Sequence, residues 1–183
     1  MKKFLSILFL STVLLLLTGC SSKLYTYEKV VKESKRIIAR DIVIENPGYI
    51  NRDNGLKAYT GYLEKDKNKK ITIINGKDFL LPVAQNYICS DIADVYLVPK
   101  FYEFKSKNRY YGLSNMKVES VSSGLHPGCK ELKITIDCDN KDRYYNIINK
   151  YIEYLNEDGI YLNKKGTNRY DIYCQNGKQL FEN

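Results

Sequence analysis

The sequence predicts an α+β fold, an antiparallel β-sheet built of meanders with two amphipathic helices packed on it and two disulfides. Three observations lead there. Residues 24–40 and 139–156 carry apolar side chains at helical spacing. Most of the remainder consists of short apolar runs punctuated by Asn-Gly, Asp-Gly and Lys-rich turns. Four cysteines, Cys89, Cys129, Cys138 and Cys174, form an even set downstream of Cys20.

The first helix is expected over residues 24–40. At 100° per residue Leu24, Tyr27, Val30, Val31, Ser34, Ile37 and Ile38 share one side. Lys29, Lys32, Arg36 and Arg40 gather on the other, a basic stripe suited to an anionic surface. The apolar side is wide enough to face a core, so the simpler reading of the stripe is a solvated face.

A β-rich stretch follows. Residues 41–45 read as a strand ended by Asn46-Pro47-Gly48, and 51–55 as a turn. Runs 56–64 and 71–75 flank a charged turn at 65–70, and Asn75-Gly76-Lys77 is expected to turn the chain into a strand at 78–83. Further strands are expected near 94–104, 109–113 and 116–122, with a turn at 105–108; Pro82 and Pro99 suggest edges or bulges. Leu132, Ile134 and Ile136 alternate with polar neighbours, which predicts a half-buried strand over 130–138.

The second helix covers 139–156, with Tyr144, Tyr145, Ile148, Tyr151, Ile152 and Leu155 on one side. Asp139 or Asn140 is its expected N-cap, and Asp158-Gly159 its end. A closing meander runs through Tyr161, Ile172 and Phe181. It echoes Tyr62-Leu63, a basic turn and Asn75-Gly76-Lys77, which leaves open a duplicated helix–meander unit.

The strand at 130–138 decides the cysteine pairing. Its ends lie roughly 25–30 Å apart at about 3.3 Å per residue, whereas a disulfide needs Cα atoms within about 7 Å. Cys129 and Cys138 are therefore not partners. Cys138 continues the inward series of that strand, and Cys174 continues Tyr170 and Ile172. The expected bridges are Cys138–Cys174 and Cys89–Cys129.

The amino end has an address of its own. Lys2 and Lys3 precede an apolar run from Phe4 to Leu17, and Leu17-Thr18-Gly19-Cys20 closes it. The run holds 14 residues, against the ~20 of a membrane-spanning helix. Leu-Thr-Gly-Cys resembles the lipobox of bacterial lipoproteins. The resemblance covers only the signal, and it implies cleavage before Cys20, a diacylglyceryl thioether on that cysteine and acylation of the new amine. Residues 1–19 are then the signal peptide, 20–23 a lipidated terminus with a short tether, and 24–183 one domain. Ser21 follows the cysteine where Asp marks retention in the inner membrane, so the resemblance favours the outer membrane of a two-membrane cell.

Charge and motifs narrow the function classes. Lys and Arg number 29 against 21 Asp and Glu; without Lys2 and Lys3 the balance is 27 to 21. On an exported protein that excess meets lipid head groups or anionic polymers rather than nucleic acid. An AT-rich coding sequence gives the same Lys, Asn, Ile and Tyr bias. His126-Pro127-Gly128-Cys129 sets the sole histidine beside a cysteine, but a bridged cysteine is no nucleophile. Residues 137–142 resemble a calcium loop only superficially, because Asp142 stands where such a loop has Gly and Ile148 where it has Glu. No metal site, cofactor or catalytic residue is expected. The sequence thus predicts a non-enzymatic binding or complex-assembly subunit, held at the membrane by lipid and meeting an envelope protein complex or anionic polymer. A small envelope hydrolase with an unidentified site is the alternative.

Overall fold

A computed structural model of the chain describes residues 23–45, 47–51, 55–78, 85–108, 113–124, 126–162 and 168–180. The chain is α+β, with two sheets and three α-helices among the described residues. Helix α1 (Tyr27–Ile37) starts at Thr26, whose hydroxyl accepts from the Lys29 amide at 3.4 Å. Its expected apolar side is the buried one: Val30 and Ser34 are enclosed, as is Ile38 just past its end.

Strands β1 (Ile42–Ile44), β2 (Tyr49–Asn51), β3 (Leu56–Leu63), β4 (Asp66–Asp78) and β5 (Gln85–Ser90) form the larger sheet, all antiparallel, with β1 and β2 both pairing with β3. The β3–β4 connection is tighter than the charged run suggested. Glu64 and Lys65 make the turn, and the polar residues from Asp66 onward extend β4. The expected turn at Asn75-Gly76-Lys77 is also overturned, since β4 runs straight through it to Asp78. Gly76 is there for space: a Cβ on it would lie 2.3 Å from Cζ of Tyr87 on β5. The strand expected at 78–83 falls largely outside the described residues.

The segment read as a strand at 94–104 is helical. A π-turn (Ala93–Leu97) leads into α2 (Val98–Lys107), which also absorbs most of the expected turn at 105–108. Pro99 sits in the first turn of α2, where a missing N–H is harmless. Buried Ala93, Tyr96, Leu97, Phe101 and Phe104 follow the 3–4 spacing of a helix face.

A single-turn helix (Leu113–Asn115) precedes the smaller sheet: β6 (Lys117–Ser122), β7 (Lys130–Ile136), β8 (Tyr170–Cys174) and β9 (Gln179–Leu180), in that order. Here β7 and β8 pair in parallel, a departure from the all-antiparallel expectation. Helix α3 (Lys141–Glu157) lies between them in sequence, and parallel neighbours require such a crossover. Asp137 caps the short turn before α3 by accepting from the Asp139 amide at 3.1 Å, while Asn140 makes no side-chain cap bond. The two meanders thus differ in pairing. Tyr62 and Leu63 end β3, while Tyr161 and Leu162 lie outside any strand.

One apolar core fills the space among both sheets and the three helices. Tyr151 of α3 stands 5.4 Å from the Phe101 ring and donates its hydroxyl to the Leu97 carbonyl at 2.5 Å, locking α3 to α2. Burial pushes that phenol well above its usual range. A smaller cluster of Leu56, Ala58, Ile74, Cys89 and Cys129 lies on the opposite face of the larger sheet. The β6–β7 loop covers it, bridged by Cys89–Cys129 with Cα atoms 5.6 Å apart. Cys138 and Cys174 stand 5.4 Å apart across the ends of β7 and β8. Both expected pairs are at disulfide distance.

Candidate functional site

Residues 23–25 form a strap across the inner face of the larger sheet. Opposed residues in its register fix the rows it crosses: Lys57, Asn75 and Ile88 make one row, and Lys77 and Asn86 the next toward the end of β4. Asn75, fully buried, accepts from the Tyr25 amide at 3.3 Å and donates to the Tyr25 carbonyl at 2.9 Å. Asn86 donates to the Lys23 carbonyl at 2.7 Å, and the Tyr25 hydroxyl donates to the Asn86 carbonyl at 3.3 Å. These bonds treat the strap as an added layer of backbone, with both polar groups of Tyr25 satisfied. Cys20 lies outside the described residues, three positions before Lys23.

The basic stripe of α1 begins beside the strap and is partly neutralised. Lys29 and Arg36 both reach Glu33, each at 2.8 Å. Hydrogen bonds from Lys29 and then Arg36 hold the Glu33 carboxyl below its usual range. Arg40 meets Asp41 at 3.4 Å, and Lys32 is exposed. All four cations point away from the core, so the structure brings them together as a mixed-charge surface, not a field of one sign.

Between α1 and β5 opens a cleft of about 250 Å³, lined by Tyr25, Glu33, Arg36, Asn86, Tyr87 and His126 among others. His126 stacks on Tyr87, ring centroids 4.1 Å apart and 15° from parallel. The turn expected at 126–129 is present, with Gly128 at φ +80° and the Cys129 amide donating to the His126 carbonyl at 3.2 Å. With Cys129 bonded to Cys89, the histidine and cysteine fasten the loop to the sheet and provide no thiolate–imidazole pair.

A second concavity of about 370 Å³ lies on the outer face of the smaller sheet, lined in part by Ser122, Glu131, Lys133, Arg169, Asp171 and Tyr173. Arg169 holds Asp171 with two donors, at 3.1 and 2.8 Å. The Lys133 ammonium sits 4.9 Å over the Tyr173 ring. Glu131 and Lys133 of β7 and Asp171 and Tyr173 of β8 are odd-numbered positions, facing away from Leu132, Ile134 and Ile172 in the core, and Arg169 immediately precedes β8. They offer an aromatic surface framed by both signs of charge. Sequence reasoning missed this face and the two asparagines of the strap. The alternation in β7 had marked its outward positions, whereas Asn75 was assigned to a turn.

Among the described residues, no group of three or more His, Cys, Asp or Glu side chains is arranged to hold a metal ion. No described helix is long and apolar enough to cross a membrane. Compared with protein-family models, with curated proteins and with solved structures, the chain matches none.

Proposed function

We propose that the chain is a lipid-anchored lipoprotein of the bacterial cell envelope, on the outer membrane, acting there as a non-enzymatic binding or complex-assembly subunit. Residues 1–19 serve as a signal peptide that is removed, and Cys20 carries the lipid. The observation that carries the reading is Leu17-Thr18-Gly19-Cys20 behind a short apolar run. Two further facts are consistent with it. The remaining four cysteines stand as two pairs at disulfide distance, as an oxidising compartment allows. The outer face of the smaller sheet, with Lys133, Arg169, Asp171 and Tyr173, is covered by none of the described residues and suits a polar or anionic envelope partner.

Two experiments test the two halves. Cys20→Ala should release the protein from membranes in a high-salt wash; if it stays bound, the lipid anchor is wrong. A photo-crosslinking residue at Tyr173 should capture one stoichiometric envelope component that the same residue at Glu153 does not. Equal capture at both positions, or none at Tyr173, refutes the binding face.

A further inference from the structure

Building on the anchor reading, we infer that the strap fixes the orientation of the domain, so that Lys23 and the Lys77/Asn86 row of the larger sheet are turned toward lipid head groups. The direction of the strap is the key. Tyr25 is bonded at the Lys57/Asn75/Ile88 row and Lys23 at the Lys77/Asn86 row, so the chain runs toward the end of β4 as it is followed back to its amino side. Each row advances about 6–7 Å, two residues of a strand. Cys20 is three residues beyond Lys23 and at most about 10 Å from it along an extended chain. A lipid on Cys20 therefore meets the bilayer at that end of the sheet, with only Ser21 and Ser22 intervening.

The side chains there suit a phosphate-bearing surface. Lys23 is exposed, Lys57 and Lys77 are half-buried, and all three belong to the strap or to the rows it crosses. The Lys57 ammonium lies 5.2 Å over the Tyr59 ring and Lys29 lies 5.8 Å over Tyr25, apolar stems with charged tips. The outer face of the smaller sheet, which none of the described residues covers, is left for a partner.

The test uses the full lipidated protein in vesicles of mixed phosphatidylcholine and phosphatidylglycerol, and in detergent. Lysines are acetylated with a water-soluble reagent and each rate is read by mass spectrometry. Lys23, Lys57 and Lys77 should react about fivefold more slowly on vesicles than in detergent, while Lys117 and Lys133 keep their rates. In the double variant Asn75→Ala, Asn86→Ala the strap is released and this selective protection should disappear. Uniform slowing, or protection centred on Lys117 and Lys133, overturns the orientation. An amino-terminal peptide that lacks the diacylglyceryl mass on Cys20 overturns the anchor as well. Lipid on Cys20 without protection of the three lysines overturns the orientation alone.

Discussion

Replacing Asn75 by Ala removes both hydrogen bonds that hold Tyr25 to the sheet. Each contributes about 1 kcal/mol net, and the Tyr25 amide and carbonyl can recover water by lifting off, so about 2 kcal/mol is lost from strap closure. At 1.4 kcal/mol per factor of ten, the open population rises roughly 30-fold. Trypsin under native conditions reads this directly, because cleavage after Lys23 requires the strap to open and its rate follows the open population. Asn86→Ala removes one side-chain bond, to the Lys23 carbonyl, and should raise the rate only about fivefold. Cleavage after Lys23 at the unaltered rate in Asn75→Ala would refute the reasoning. An equal acceleration after Lys133, within β7, would refute it differently, by showing that the whole fold had loosened.

Other perturbations probe the scaffold. Removing the Cys89–Cys129 bridge by paired Ser substitutions frees a 40-residue separation and should cost up to about 4 kcal/mol in a denaturant titration. Gly76→Val would drive a side chain into the Tyr87 ring and should destabilise by about 1–3 kcal/mol; near-ultraviolet circular dichroism would register the displaced Tyr87–His126 stack. An acid titration should show stability falling between pH 4.5 and about 2. Hydrogen bonds from Lys107, Tyr154 and Lys100 hold Glu103 down at about 2 from its ordinary 4.5, so its contribution is complete above 4.5 and lost as pH falls through the lower value. Burial alone would raise Asp158, but Lys100 and Lys65 outweigh it and keep it low, in the same direction. Burial works against the Lys100 charge, yet Asp158 and Glu103 raise its affinity for protons, so its share is lost only at strongly alkaline pH. Lys100→Met should make the acid fall shallower; an unchanged slope would exclude this cluster as its source.

What could be read in advance divides along physical lines. Periodicity located α1 and α3 because their apolar faces are continuous, from Val30 to Ile38 and from Tyr144 to Leu155. The inward series of β7 and β8 selected the cysteine pairs, since register puts Ile136 beside Cys174 and Cys138 just beyond. Residues 94–104 misled because Val95, Tyr96 and Val98 favour strands and Pro99 resembles an edge; tertiary burial of Tyr96, Leu97, Phe101 and Phe104 overrode that preference. Asn75-Gly76 carries the composition of a hairpin turn, but both residues answer to other elements, Asn75 to the strap and Gly76 to Tyr87. Nothing local in the sequence announces either demand. The parallel pairing of β7 and β8 was implicit in the helix between them.

The two bridges also bear on how the chain matures. Among Cys89, Cys129, Cys138 and Cys174, each bonded pair consists of neighbours in order: first with second, third with fourth. A chain threading through a membrane from its amino end presents Cys129 to Cys89 before the last pair exists, and later Cys174 to Cys138. Every thiol thus meets its proper partner as the earliest available one, provided Cys20 is already capped by lipid. On the proposed anchor, maturation would need an oxidant and no shuffling of wrong bridges, and a lipid on Cys20 would double as a protecting group.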